Sequence, residues 1–262
     1  MGNFWRFARQ QVSVQLQMRT FNLYSLLLFF IQPVIFSAVG MILSRAAGKA
    51  APDLVYTVIG SGILGMWSGM LFSSTYDINR DRRDGLLELL VASPTSLRRI
   101  EGVRTFTNIA ASLVSLLVAV AAAVLIFHFS FENVNFLRLL LAVVVLFYCL
   151  WCLGVFLANF FVWSRLSGSI VDYLEAPIAF LCGFMYPIRV LPGWLQEIST
   201  VVPVRWALQA LDNTLLKTDL TAEYWLQISM ALLTATCFWL VSLWLDHKVH
   251  DHIRVTGELS SI

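Results

Sequence analysis

Apolar residues run along the chain in long blocks separated by short polar segments. Six blocks meet the requirement of about 20 mostly apolar residues for a helix that crosses a bilayer. They are Asn22–Ser44, Leu54–Tyr76, Val103–Phe127, Phe136–Phe161, Ser169–Pro187 and Tyr224–Leu245. The pattern predicts an all-α integral membrane protein with six transmembrane helices, forming a single domain over residues 1–262. The first block is too long for a cleaved signal peptide, and a polar amphipathic segment precedes it. In that segment, Asn3–Thr20, residues Arg6, Arg9, Gln10, Ser13 and Gln17 share one helical side. Phe4, Trp5, Ala8, Val12 and Leu16 share the other, which predicts a helix lying in the membrane interface. Gln11, Gln15 and Arg19 interrupt its apolar face. Between the fifth and sixth blocks, Pro192–Leu216 is too apolar for a free loop and is broken by Pro203. It is expected to dip back into the membrane as a re-entrant pair of short helices, carrying Pro192, Trp194, Pro203, Arg205 and Trp206.

Composition agrees with this picture. Of 262 residues 58% are hydrophobic, the mean hydropathy is +0.75, and 13% are charged, about half the usual share in a soluble domain. A net charge of +2 without a basic tail argues against nucleic acid as a partner and leaves the lipid membrane as the environment. Against this background Asp77, Arg80, Asp81, Arg82, Arg83, Asp84 and Glu88 form one dense charged block after the second span. Basic residues place that block on the cytoplasmic side. With the N-terminus inside, twelve of the eighteen Lys and Arg residues face the cytoplasm, Arg104 and Arg165 among them. Both termini are then cytoplasmic.

The block has a readable local grammar. Asp84 can N-cap a helix of about two turns through Gly85, Leu86, Leu87, Glu88, Leu89, Leu90, Val91 and Ala92. Leu86, Leu89 and Leu90 share a face. Ser93 then caps a helix with Pro94 at its first position, and no breaker separates it from the third span. From Pro94 to Phe127 such a helix is about 51 Å long against an apolar slab of about 30 Å, so its first turns project from the membrane. A short two-faced helix at the tip of a projecting hairpin has no lipid to cover its leucines, and the groove of a soluble partner is the expected cover.

The run R-D-G-L-L-E-L-L-V-A-S-P, Arg83–Pro94, resembles the cytoplasmic signature of ABC-2 type transporter permeases, roughly acidic-x-G-T-L-E-x-L-L-x-S-P. Leu86 departs from it, standing where the family often has threonine. A second stretch is similar to the family's fifth-helix exit and re-entrant segment: G-F-M-Y-P-I-R-V-L-P-G-W-L-Q-E-I, Gly183–Ile198, followed by V-P-V-R-W-A-L-Q-A-L, Val202–Leu211. The resemblance implies the transmembrane half of an ABC exporter in a bacterial inner membrane. It would work as a homodimer, or with a paralogous permease, together with two copies of an ABC ATP-binding subunit. Asp84, Gly85, Leu86, Leu87, Glu88, Leu89, Leu90, Ser93 and Pro94 would then form the coupling helix seated in the ATPase.

The chain is not expected to be an enzyme or to bind a cofactor. No G-x-x-x-x-G-K-[ST] occurs, since Gly48-Lys49 is followed by Ala50, so ATP and Mg belong to the partner ATPase. Neither G-x-S-G nor G-x-G-D occurs, which argues against an intramembrane protease. A non-transporting scaffold or an embedded transferase are the rival classes. Cys149 and Cys152 spell C-x-x-C inside the fourth span and, with Cys182 and Cys237, are expected to be structural thiols. Asp246 to His252 could collect a metal, yet suits the polar end of the sixth helix better, and no metal site is expected. Trp194, Trp206 and Trp225 suit an aromatic belt, with a role in guiding cargo as the alternative.

Asp172 and Glu175 lie one turn apart in the fifth span, with Tyr173 between them and Pro177 beyond. Intramembrane carboxylates are costly and face a cavity or a partner. Two readings stay open: an ion pair with Arg165 or a polar group on a neighbouring helix, or a place on the substrate pathway. The acidic pair and the aromatic richness favour an amphipathic drug-like or lipid-like cargo, exported by alternating access. A lipid-linked glycan or polysaccharide is the alternative.

Overall fold

The computed structural model describes residues 31–46, 58–71, 81, 84–85, 97–127, 135–164, 168–184, 188, 191–216 and 222–256. The interfacial segment Asn3–Thr20, residues Leu86–Pro94 and Arg165 lie outside the described residues. What is described is helical, without a strand. We number the helices α1 (Gln32–Ala46), α2 (Val58–Leu71), α3 (Leu97–Phe127), α4 (Phe136–Ser164), α5 (Gly168–Cys182), α6 (Gly193–Ser199), α7 (Pro203–Leu216) and α8 (Ala222–Thr256).

Three of them, over Arg99–Ala122, Phe136–Phe161 and Ala222–Asp246, are long and apolar enough to cross a membrane. The described parts of the first, second and fifth blocks form shorter helices. In the fifth, Gly183 ends the helix at Cys182, before the Pro187 suggested by hydropathy. It takes φ +69°, a left-handed conformation open to glycine, and its N–H turns back to the carbonyl of Phe180. α3 continues unbroken from Leu97, about 46 Å of helix.

The core forms where α4 meets α2, α3, α7 and α8. α4 and α8 run parallel. Tyr224 donates its hydroxyl to the Arg138 carbonyl near their first turns, and Asn159 donates to Ser242 Oγ at 2.8 Å near their far ends. Trp151 stacks on Trp239 between these levels, with ring centroids 4.8 Å apart. α3 runs antiparallel to α4, with Trp151 Nε1 donating to the Gly102 carbonyl and Phe106 packed edge-on to Phe147. α8 turns an opposite, exposed face outward. Trp225 and Trp244 lie on it, separated by about 29 Å of helix, close to the thickness of the apolar slab. The Lys248 ammonium, 4.4 Å above the Trp244 ring, follows just beyond. Aromatic and basic side chains at that spacing mark the two membrane surfaces.

α2 is the buried helix of the other half. Every residue from Val58 to Leu71 is sealed from solvent. Its glycines permit this. A Cβ on Gly62 would lie 2.6 Å from Ala119 Cβ, and one on Gly65 would collide with Ser115 of α3 and meet Pro33 of α1. Ser115 in turn donates to the Gly62 carbonyl. In lipid there is no hydrophobic gain from putting one apolar helix against another, so close backbone approach at small residues supplies the packing.

Gly62→Leu is therefore expected to force α2 and α3 apart and destabilise the fold by about 1–3 kcal/mol, the usual cost of overpacking. Gly193→Ala, where no atom lies within 4 Å of the added methyl, is the matched control. Thermal unfolding of the purified chain in detergent reads both. Equal melting temperatures for Gly62→Leu and Gly193→Ala would contradict this packing.

Candidate functional site

Two polar assemblies sit inside the apolar bundle. The first lies at the base of the charged block. Asp81, beyond α2, is 1% exposed, and Glu101 and Arg104 of α3 are 2% and 6% exposed. Arg104 Nη1 donates to Asp81 Oδ2 and, at 3.2 Å, to Glu101 Oε1. Glu101 and Arg104 are one turn apart on α3, so they offer a guanidinium and a carboxylate on a single face. Gly102, between them, is held level with Trp151 and Trp239, about 7 Å inside Trp244 along α8. The triad thus stands at the edge of the apolar slab and inside protein.

This changes the account of Arg104. Counted by sequence among the cations of one membrane side, Arg104 is also a buried partner of two carboxylates. A desolvated charge in such a position is stable only when opposite charges and hydrogen bonds surround it.

The triad ties together the two ends of the block that resembles a coupling helix. Asp81 stands before it, Glu101 and Arg104 after it. Of the block itself, Asp84 and Gly85 are described. Both are exposed and form a turn in which Gly85 has φ +67°. The expected helix start at Gly85 is corrected by this angle: a right-handed helix can begin no earlier than Leu86. Leu86, Leu87, Glu88, Leu89, Leu90, Ser93 and Pro94 lie outside the described residues.

The second assembly joins α1, α2 and α5. Ser68, fully buried on α2, bonds to Glu175 Oε1 of α5 and to the Leu64 carbonyl of its own helix. Gln32 of α1 donates its amide to Ser68 Oγ at 3.1 Å. Gln32 Oε1 is sealed from solvent without a hydrogen-bond donor. The Ser68 hydroxyl has one proton and two acceptors within reach, so its orientation depends on what Glu175 carries. Glu175 is half-buried. Tyr173, Ala176, Pro177 and Phe180 of the same helix are exposed beside it. Of the two readings open for Glu175, a polar partner on a neighbouring helix is present, and that partner is Ser68. Asp172 belongs to the same helix, and its side chain lies outside the described residues. The structure does not bring Tyr173 into this cluster; it points outward at 77% exposure.

Between α5 and α8, Pro192–Leu216 forms the two short helices α6 and α7. Pro192 immediately precedes α6 and Pro203 opens α7, each where a missing N–H leaves no helical bond unmade. Trp194 is exposed, Trp206 donates its indole N–H to the Thr200 carbonyl, and Arg205 is buried. Val204, Ala207, Leu208, Ala210 and Leu211 seat α7 in the core beside α4 and α8. Cys149, Cys152 and Cys182 are buried thiols; Cys237 is exposed on α8.

Sequence reasoning passed over Ser68, Gln32 and Asp81. The serine and glutamine stand in apolar surroundings with no motif. The signal available for Asp81 was its place at the head of the charged block.

A family model described as ABC-2 type transporter matches residues 4–216 of the chain. No curated protein matches the chain significantly in sequence.

Removing Arg104 would leave Asp81 and Glu101 without their shared cation. Arg104→Met is expected to cost about 3–5 kcal/mol, the penalty for breaking a buried pair from one side. Asp81→Asn and Glu101→Gln added to it should recover much of the loss. Thermal unfolding and membrane yield of the three-site variant, set against Arg104→Met, decide the matter. A wild-type melting temperature for Arg104→Met would mean that the triad holds nothing together.

Proposed function

Because this chain belongs to the ABC-2 type transporter family, a family of transport membrane domains, we propose that it is the permease subunit of an ATP-driven exporter. The observation that carries the reading is the buried triad. It brackets the charged block, so that force applied to the block reaches α3 through a rigid ionic joint rather than a slack loop. Segment 84–94, ending at Pro94, is read as the coupling segment, a turn at Asp84 and Gly85 followed by the helix, with its leucines docked on an ABC ATP-binding subunit and its charges setting register. ATP and Mg act on that partner. The exposed apolar faces of α1 (Val34, Ile35, Ile42) and α5 (Tyr173, Phe180) suit a second permease copy or a paralogue.

Glu175 is placed on the cargo route in this reading. It is half-buried, hydrogen-bonded on its inner side by Ser68, and flanked by the exposed residues of α5. A carboxylate so held favours an amphipathic cargo with a cationic group, moved by alternating access between states open to either side. The chain sits in the inner membrane with both termini cytoplasmic, and the α6–α7 pair is re-entrant from the outer side.

Two experiments test this. The double variant Glu88→Arg, Leu89→Asp should insert normally yet lose transport and cargo-stimulated ATP hydrolysis by the co-purified ATPase; normal transport would remove the coupling role. Glu175→Gln keeps the hydrogen bond to Ser68 and removes the charge. Transport of a cationic cargo should fall several-fold while a neutral analogue is spared, with the melting temperature held. An equal loss for both cargoes with a lowered melting temperature would make Glu175 a structural partner of Ser68. A scaffold would be recognised by an ATPase that co-purifies and is never stimulated.

A further inference from the structure

Arg205 sits in the first turn of α7 and is only 9% exposed. Its Nη1 donates to the Gln196 carbonyl of α6 at 2.6 Å, and its guanidinium carbon lies 5.1 Å from the centre of the Trp206 ring. Its Nε is sealed from solvent with no acceptor. No carboxylate among the described residues pairs with it. A guanidinium offers five N–H donors, and one carbonyl answers few of them. A cation withdrawn from water in this way lacks its counterpart.

The surroundings sharpen the deficit. The carbonyls that end α6 are already engaged. Glu197 O accepts from Thr200, Ile198 O from Val201, and Ser199 O from Val202. The Thr200 carbonyl accepts from Trp206. Meanwhile the first-turn amides of α7 open toward the same junction, where the helix carries its positive end. Side chains on a helix lean toward its N-terminus, so the Arg205 guanidinium and these amides converge, as its bond to Gln196 shows. Donors accumulate at this point, and among the described residues the Gln196 carbonyl is the acceptor that answers Arg205.

An apolar rim adjoins the junction. Trp194, Ile198 and Val201 recur at helical spacing and are 64%, 48% and 59% exposed. A soluble anion has no use for such a rim; a lipid has. We infer that the α6–α7 junction binds the phosphate of an anionic lipid headgroup, with Arg205 as its cation and the acyl chains lying along Trp194, Ile198 and Val201. With Nε sealed and Nη1 given to Gln196, a phosphate diester is met by the remaining Nη donors in a charge-assisted hydrogen bond. Inorganic phosphate shares the charge and lacks the chains.

The test uses the purified full-length chain in neutral detergent and titrates three probes: dioctanoyl phosphatidylglycerol, dioctanoylglycerol and inorganic phosphate. Thermal stabilisation reads binding. The phospholipid should raise the melting temperature saturably and bind about tenfold or more tightly than inorganic phosphate, since chain carbons add burial. Dioctanoylglycerol should have little effect. Arg205→Gln should weaken the phospholipid by about tenfold or more, the loss expected for hydrogen bonds to a charged group. If Arg205→Gln does not fold, Val201→Asp keeps Arg205 and its bond to Gln196 while placing a competing carboxylate at the junction, and should abolish the phospholipid effect. Equal affinity for inorganic phosphate and the phospholipid, both lost in these variants, would support the anion site with free phosphate as its source. A phospholipid effect matched by dioctanoylglycerol, or unchanged by either substitution, would overturn the proposal.

Discussion

A polar group carried into an apolar slab must find its partner within the protein, because neither lipid nor water will answer it there. The arrangement of this bundle follows from that demand. Arg104 is held by Asp81 and Glu101, Glu175 by Ser68, and Ser68 in turn by Gln32. Apart from the Glu101–Arg104 pair, one turn apart on α3, each link joins segments far apart in sequence. Glycines at 62 and 65 bring the α2 backbone close to α3, and with the fully buried α2 this puts Ser68 deep in the protein. Small residues and polar pairs are therefore parts of one solution.

The bundle divides mechanically along these lines. α4, α7 and α8 share a core of interlocked aromatic and aliphatic side chains, with Trp151 stacked on Trp239 and Tyr224 tied to Arg138. α1, α2 and α5 meet in addition through hydroxyl, amide and carboxylate groups, while the apolar side chains of α2 belong to that same core. Polar contacts of that kind can exchange partners for water or cargo, whereas interdigitated rings cannot do so without opening a void. α3 belongs to both, packing its small residues on α2 and Phe106 on Phe147, and it alone among these carries the ionic joint to the charged block.

Depth along the bundle links the two assemblies to the α6–α7 junction. Trp225 and Trp244 delimit the slab on α8. The triad lies at one edge of it, beside Gly102 and Trp239. Arg205 belongs to the segment that joins α5 to α8, whose first turns mark the other edge. Charges thus collect toward both ends of the bundle, and among the described side chains the Glu175 carboxylate belongs to a separate polar cluster on α5.

By itself the sequence determined the class of the protein. Long apolar blocks exclude a soluble fold, the order D-G-L-L-E-L-L-x-A-S-P points to the family, and Pro192 and Pro203 mark the starts of α6 and α7, all because these features act within a few turns of chain. Gly85 and Gly183 show the limit of local reading. Glycine permits a left-handed turn but does not require one, and their positive φ moved a helix start and a helix end. Partners were beyond reach. Ser68 and Glu175 are separated by 107 positions, and Asp81 and Arg104 by 23. Nothing in hydropathy tells a serine facing a carboxylate from one bonded to its own helix. Only the packing of α1, α2 and α5 placed Ser68 beneath Glu175. Only the approach of α3 to Asp81 made Arg104 a buried partner, since desolvation is a property of surroundings and not of composition.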